Sequence, residues 1–464
     1  MVTARPILTA AETRAAEQAL FDDGITVEAL MERAGVLAAE AAWRFAGPRS
    51  TLVVCGPGNN GGDGYVIART LKAKGVPVRV AALSEPVTPA ARAARASWDG
   101  PVEDFAEARP ASLLVDALFG TGLTRPLAEH VSARLGELAE AAALVVAIDL
   151  PSGIATDDGA ILSPVPDCDM TVALGCLKPA HRLRPAVAAC GRIVVADIGL
   201  PGAEARLVEV ARPMLATPGP GDHKYSRGKV AVLGGAMPGA AMLAAEAAQR
   251  AGAGYVELLN PRTPAAAPHA LVRRGGDPAG ALADGRIGAL VVGPGLGRDD
   301  RAEELLTAAL ASGRPLVIDA DALVLLADGG LDRLRALDGD AVLTPHEGEF
   351  VRLFGEIAGS RIDRARIAAA RAGCVVLLKG ADSVVAHPDG RAGIAPPAPG
   401  WLASAGTGDV LAGIIAAMRA GGRDPFAAAQ AGLWLHAEAA RLAGPALIAD
   451  DLVRCLPAAV GACL

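Results

Sequence analysis

Two groups of residues carry chemistry by type and spacing. The first is Asn60, Asp116 and Ser152, each in a glycine-bearing turn that follows an apolar run. The turns are "GPGNNGGDGYVIAR" after "TLVVC", "DALFGTGLTRP" at the end of 112–116, and "DLPSG" at the end of 143–149. Oxygen-bearing side chains on converging loops suit a hard cation; taken singly, each also suits a residue that binds its own backbone. In the first turn the glycines let backbone amides approach a phosphate, with a helix N-terminus behind them. Gly56, Gly58 and Gly61 satisfy GxGxxG. The next strand ends "VAALSEP", however, and lacks the acid that a dinucleotide site wants about 20 residues on. Asn59, Asn60 and Asp63 point instead to a loop that makes specific polar contacts.

The second group lies in "ASAGTGDVLAGIIAAM", residues 403–418. The amides of Gly406, Thr407 and Gly408 would form an anion hole, and Asp409 would polarise an alcohol attacking a terminal phosphate. The alternative is an ordinary acidic residue in a helix's first turn, stabilised by the dipole. GxxxxGK[ST] is missing, so this is no P-loop. "VVGPGLGRDD" (291–300) and "LTPHEGEF" (343–350) each follow a strand candidate, and "LLKGADSVV" (377–385) reads as strand, turn, strand. A lone histidine is usually structural, but the position of His346 after a strand favours ligand contact.

Apolar runs alternate with helical patterns, which implies an α/β chain of mostly parallel sheets with helices on both faces. In the first half the strand candidates are 51–55, 76–83, 112–116, 143–149, 170–175 and 192–197. They follow two helices broken at Asp23-Gly24. "ARPMLATPGPGD" then reads as a linker, which places domains at 1–212 and 223–464 with 213–222 between them. The second series is "GKVAVLGG", 253–259, 287–293, 314–319, 340–344 and 374–379. In such sheets ligands bind beyond the carboxyl ends of strands, and the polar turns of each half fall there.

The 464 residues are 52% hydrophobic and 3% aromatic, so the cores must be built from Ala, Val, Leu and Ile. A net charge of −7 without a basic stripe argues against nucleic acid and anionic membranes. No apolar run reaches about 18 residues, and the N-terminus lacks a signal core. Seven scattered cysteines without CxxC predict reduced, buried thiols in a cytoplasm rather than disulfides or zinc.

The first half resembles the NAD(P)H-hydrate epimerase family, the YjeF N-terminal domain, over about residues 5–205. The resemblance rests on "LMERAG", "GPGNNGGDGYVIAR", "VDALFGTGL", "DLPSG" and "DIGLP". It implies a Rossmann-like three-layer sandwich that interconverts R and S nicotinamide hydrates, NADHX and NADPHX. Asn60, Asp116 and Ser152 would hold K+. Asn59, Asn60, Gly61, Gly62 and Asp63 would contact the hydrate, as would Gly120, Thr121, Gly122, Leu123, Thr124, Arg125, Pro126 and Asp149. In the chemistry this requires, the ring nitrogen expels the hydroxyl and water returns on the other face. A carboxylate must then shuttle a proton and stabilise positive charge; Asp149 is the choice, with Asp116 its rival. Lys178 would either meet an anionic group or be a solvated loop lysine. Glu32 and Arg33 read as a surface or interface pair.

Residues 222–460 resemble the ADP/ATP-dependent NAD(P)H-hydrate dehydratases, a ribokinase-like family. The shared motifs are "HKYSRGKVAVLGGAMPGAAMLAAEAAQRAGAGYV", "GPGLG", "DADAL", "TPHEGE", "KGADSVV" and "GTGDVLAGIIAAM". The resemblance implies hydrate contacts at Ala240, Gly295, His346 and Asp409, and adenine-nucleotide contacts at Lys379, Gly380, Ala381, Asp382, Ser383 and Gly408. Asp409 would activate the hydrate's hydroxyl to take a phosphoryl group from ADP or ATP, with Mg2+ on the nucleotide phosphates; phosphate then leaves and NADH or NADPH is regenerated. Asp319 and Asp321 would orient the Mg2+ indirectly or cap a helix. "PGWLAS" departs from the polar lead-in expected before the GTGD loop. A homo-oligomer is expected. The rivals are an NAD-dependent oxidoreductase, a vitamin or sugar kinase for the second half, and a non-enzymatic binding module for the first.

Overall fold

Thr9 opens the described chain's first helix with a capping box. Its Oγ1 accepts from the Glu12 amide at 3.2 Å, and the Glu12 carboxylate accepts from the Thr9 amide at 2.8 Å. Helix α1 (Ala10–Asp22) stops at Gly24, whose φ of +91° suits glycine, and α2 (Val27–Ala46) follows. The break at Asp23-Gly24 is the one the sequence predicts. The computed structural model describes all residues except 1–3, 202–204, 260–267, 328 and 338–339, and the side chain of Ala279. The chain divides into two compact units, one Arg5–Ala205, the other built on Arg206–Leu464.

The first unit carries strands β1 (Thr51–Cys55), β2 (Val78–Ala82), β3 (Val102–Asp104), β4 (Leu113–Ala117), β5 (Leu144–Ile148), β6 (Met170–Leu174) and β7 (Arg192–Ala196). All pairings are parallel, in the order β3-β2-β1-β4-β5-β6-β7. The order reverses direction between β1 and β4, which opens a crevice at their carboxyl ends. Helix α3 (Asn59–Ala73) starts there, directly after β1. Gly61 lets α3 seat against the strand end: a Cβ on it would lie 1.8 Å from the Gly56 carbonyl oxygen.

In the second unit the strands are β8 (Leu207–Glu209), β9 (Lys229–Leu233), β10 (Tyr255–Leu259), β11 (Val272–Arg274), β12 (Ile287–Val292), β13 (Leu316–Ile318), β14 (Ala341–Leu343), β15 (Val375–Leu378), β16 (Val384–Ala386) and β17 (Ala392–Ile394). The sheet runs β11-β10-β9-β12-β13-β14-β15-β16-β17-β8, with β15, β16 and β17 antiparallel to one another in turn. Its switch point lies between β9 and β12. β8 pairs with β17, so the units divide ahead of the 213–222 stretch, and residues 206–212 go with the second sheet rather than the first.

With few aromatic residues, the core relies on alanine to bring helices close. A Cβ on Gly413 in the helix Thr407–Ala420 would lie 2.1 Å from the carbonyl oxygen of Ala244 in the helix Pro238–Arg250. Lys229, at the amino end of β9, is buried against Glu257 at 2.7 Å and Asp284 at 2.8 Å. Removing one partner of a buried ion pair costs about 3–5 kcal/mol. Lys229→Met is therefore expected to lower the second unit's urea midpoint; an unchanged midpoint would contradict this. Six of the seven cysteines are buried, and all seven are free thiols. Among the described residues, no helix is long and apolar enough to cross a membrane.

Candidate active sites

Asp149 ends β5 at the first crevice. Its φ of +65° is uncommon for a residue with a side chain and marks a backbone held by its surroundings. His181 supplies part of that hold. Its Nδ1 accepts from the Lys178 amide at 2.8 Å, so its Nε2–H donates to the Asp149 carbonyl at 2.7 Å. Burial keeps His181 neutral, with its pKa pushed down to about 3.

The Asp149 carboxylate is buried and fully engaged. Oδ2 accepts from the amide of Thr121 at 2.8 Å and from its hydroxyl. Oδ1 accepts from the Leu174 amide at 3.3 Å and from Lys178 Nζ at 2.5 Å. Burial opposes the charge on Asp149, but Lys178 and these hydrogen bonds outweigh it and hold its pKa at about 2. Lys178 is 1% exposed. Burial opposes its charge as well, and the Asp149 carboxylate holds its pKa above the usual lysine value. The solvated-loop reading of Lys178 is thus corrected. Asp149 itself is ionised at rest, the state in which a carboxylate can accept a proton.

Asp116 and Ser152 meet directly. Ser152 donates from Oγ to Asp116 Oδ1 at 2.7 Å and from its amide to Oδ2 at 2.8 Å. The Leu118 amide adds a third hydrogen bond at 3.1 Å. Burial still lifts the Asp116 carboxyl above the usual carboxylate range, against these bonds. Asn60 reaches the same crevice. A Cβ on Gly120 would lie 2.9 Å from Asn60 Oδ1 and 3.0 Å from Asp149 Oδ2, so a side chain there would fill the space between them. Asn60 Nδ2 is buried without a hydrogen-bond partner. The oxygens of Asn60, Asp116 and Ser152, with a desolvated carboxylate among them, fit a monovalent cation, while the orphaned Asn60 Nδ2 calls for an acceptor.

The other predicted residues divide. Gly61, Gly62 and Asp63 are buried in the first turns of α3; Asn59 Oδ1 accepts from the Thr88 hydroxyl at 2.6 Å. Gly122 donates from its amide to Thr156 Oγ1 at 3.3 Å. Leu123 is partly exposed, and Thr124, Arg125 and Pro126 are exposed on the loop. Glu32 pairs with Arg69, and Arg33 donates to the Ile198 carbonyl at 2.7 Å, so they do not pair with each other.

In the second unit, Asp409 lies in the first turn of the helix Thr407–Ala420. Gly406, with φ +82°, brings the chain in, and Thr407 Oγ1 donates to the carbonyls of Leu402 and Ser404 at 2.9 Å each. The divergent "PGWLAS" lead-in thus supplies the carbonyls that fix the glycine loop. Gly408 faces the ion pair between Lys379 Nζ and Asp319 Oδ1, 2.7 Å apart. A Cβ at Gly408 would stand 3.3 Å from Lys379 Nζ, which leaves no room for a larger residue and an anion together. Burial, with Asp319, raises the Asp409 pKa to about 6, against the pull of Lys379. A carboxylate tuned to that value suits a general base near neutral pH.

His346 caps the helix Glu347–Phe354. Its Nδ1 accepts from the amides of Gly348 and Glu349 at 3.0 and 3.3 Å, and its Nε2 lies 3.4 Å from Glu349 Oε1, on a side chain 60% exposed. Ala240, in the first turn of the helix Pro238–Arg250, and the Gly295 loop meet at the switch point, where the Met237 amide donates to the Gly295 carbonyl at 2.9 Å. Gly380 and Ala381 are exposed on the turn after β15. Ser383 Oγ closes that turn, accepting from the Gly380 amide at 3.0 Å, and Asp382 pairs with Arg361 at 3.3 Å. Asp321 accepts from the Gly297 amide at 3.0 Å and from Arg298 at 2.8 Å. Asp319 stands at the N-cap of the helix Ala320–Leu325, but its side chain makes no capping hydrogen bond; both carboxylates are held in ion pairs.

Each unit is therefore an α/β fold on a wholly or mostly parallel sheet, with a polar crevice at its switch point, the class that handles nucleotides and their derivatives. The YjeF-related protein N-terminus family model matches residues 27–180, and the NAD(P)H-hydrate dehydratase model matches 230–452. A bifunctional NAD(P)H-hydrate repair enzyme of Gloeobacter violaceus is 38% identical, covering 93% of this chain and 92% of its own. The one of Escherichia coli is 36% identical, covering 92% and 88%. A solved ADP/ATP-dependent NAD(P)H-hydrate dehydratase from Bacillus subtilis, co-crystallised with ATP and Mg2+, is 29% identical and covers 54% of this chain and 95% of its own, with a TM-score of 0.46. The chain belongs to the family of bifunctional NAD(P)H-hydrate repair enzymes.

Proposed function

We propose that the first unit epimerises R and S hydrates of NADH and NADPH, and that the second dehydrates the S form using ADP or ATP. The observation that carries this reading is Asp409: a carboxylate tuned to about 6, at a helix N-terminus beside Lys379. Hydroxide is a poor leaving group and phosphate a good one. Asp409 takes the proton of the hydrate's hydroxyl as that oxygen attacks the terminal phosphorus. The amides of Gly406, Thr407 and Gly408 receive the phosphoryl oxygens, and Lys379 balances their charge. His346, Ala240 and Gly295 orient the hydrate, while Gly380 and Ala381, with Asp382 and Ser383, shape the nucleotide turn. Mg2+ bound to the nucleotide phosphates would neutralise part of their charge. Asp319 and Asp321 already have cationic partners, so no carboxylate set is reserved for it.

In the first unit Asp149 faces the carbon that loses and regains water, and its fixed negative charge stabilises the cation formed there. The amides opening α3 receive the substrate's phosphates. Asn60, Asp116 and Ser152 would hold K+, which supplies the positive charge that the buried Asp116 lacks. The substrates are small molecules, and the reduced thiols fit a cytoplasmic location.

The test is to give the protein (S)-NADH hydrate with ADP or ATP. Recovery of reduced-nicotinamide absorbance together with free phosphate is expected. A phosphorylated alcohol without recovered absorbance would make the second unit a kinase. His181→Ala is expected to slow epimerisation about tenfold or more, because the Asp149 backbone loses its clamp, and to leave dehydration of the S form unchanged. Equal epimerisation rates would remove His181 from the site.

A further inference from the structure

Resting on the epimerase reading of the first unit, the geometry points to a second acid pair near Asp149: we propose that Glu17 and Asp63 hold the proton of the epimerisation across a small cleft. The cleft, about 70 Å³, is bounded by Glu17 on α1, by Asn59 and Asp63 on α3, and by apolar side chains including Met31 and Leu174. It has room for one or two waters. Asp63 is 7% exposed and accepts a hydrogen bond from none of the described residues, so its carboxyl lines the cleft unpartnered. Glu17 is only half-buried and links the cleft to solvent.

The surroundings explain why this pair carries a proton while Asp149 does not. Burial, then the charges of Asp149 and Glu17, raise Asp63 well above the usual carboxylate range, with Lys178 pulling the other way. Glu17 is raised by burial and by Asp149, against Lys178 and Arg14. Lys178 is committed to Asp149, which leaves the second pair without a cation of its own. Both carboxyls line the same cleft, and burial there favours the protonated form of each.

The step balances. The proton passes from Asp63 to the hydrate's hydroxyl, and the C–O bond breaks with its electrons leaving on water. The ring nitrogen's lone pair forms the C=N bond of the cation, which Asp149 stabilises. Water then adds to the other face, closing a new C–O bond as the C=N electrons return to nitrogen. Its surplus proton goes back to the Glu17–Asp63 pair, which exchanges with solvent through Glu17. Nothing is oxidised, and the proton is lent rather than consumed.

The full-length protein tests this by exchange between separated R and S NADH hydrates, measured across pH without nucleotide. The wild type is expected to lose rate as pH rises through the pair's titration. Glu17→Gln removes the neighbouring negative charge, so Asp63 gives up its proton more easily and that limb moves to lower pH, by on the order of one unit. Asp63→Asn is expected to lose about 100-fold or more, and Glu17→Asp to restore most of the wild-type profile. Unchanged dehydration of the S form and a thermal melt no lower than the wild type's show that the variants are folded. If the wild type epimerises while Glu17→Gln matches it in rate and profile, or Asp63→Asn keeps its rate, the relay is overturned. No epimerisation by the wild type would instead overturn the reading beneath it.

Discussion

Asp409→Asn is expected to lower NADH formation from the S hydrate by about 10²–10⁴-fold, the range for removing a general base, while R and S hydrates still exchange at the wild-type rate. The substitution keeps the shape of the side chain and removes only its ability to take a proton. In the wild type the rate should fall as pH drops through about 6, where Asp409 gains a proton and can no longer serve as base. The sign for stability is opposite. A carboxyl whose folded pKa is raised contributes stability below its unfolded value near 3.8 and loses that contribution as pH rises through about 6. At neutral pH the ionised Asp409 therefore strains the fold, and the Asn variant should melt at a higher temperature than the wild type. Lower activity with higher stability is the signature of a site that spends stability on function. A variant that kept its rate would require another base.

Asp149→Asn should have the next largest effect, and it acts on both stability and rate. It leaves Lys178 buried and charged with no carboxylate beside it, a loss of about 3–5 kcal/mol for breaking a buried pair. Epimerisation should fall by about 10²–10⁴-fold, since the cation at the reacting carbon loses its counter-charge. The double variant Asp149→Asn with Lys178→Met separates the two effects: stability should largely return, and epimerisation should not. The pH dependence of stability gives an independent check. With a folded pKa held at about 2, Asp149 contributes stability above its unfolded value near 3.8 and loses it as pH falls through about 2. Wild type and Asn variant should therefore converge in acid, between about pH 4 and 2. If both were equally stable at pH 7, the Asp149–Lys178 pair would have no structural weight.

Much of this arrangement is legible from residue order. The strands of five or more residues, such as Thr51–Cys55 and Ile287–Val292, announce themselves by apolar runs between glycine turns, and the switch points follow from where polar turns succeed them. The three-residue strands Leu207–Glu209, Val272–Arg274 and Ala392–Ile394 do not, because three residues carry no periodicity and their pairing partners lie far along the chain. That is why the boundary at 212 splits a strand from its sheet. The motif residues Asn60, Asp116, Asp149 and Asp409 stand out through their glycine contexts. Glu17 and His181 have no such context. Glu17 reads as one more polar residue on an amphipathic helix, and Lys178 as a loop lysine that either meets an anionic group or is solvated. Only the folded chain brings Lys178 to Asp149 across 29 positions of sequence and His181 to its carbonyl across 32. The same limit hid the ionisation states: spacing offers Asp149 as a carboxyl group, but its partners decide that it stays charged.

The most direct measurement is chromatography of a mixture of R and S NADH hydrates incubated with the full-length protein and ADP or ATP. Both epimers should disappear as NADH forms, because the first unit converts R hydrate into the S hydrate that the second consumes. An R hydrate that persists after the S hydrate is consumed would contradict the account, and it would do so at the first crevice.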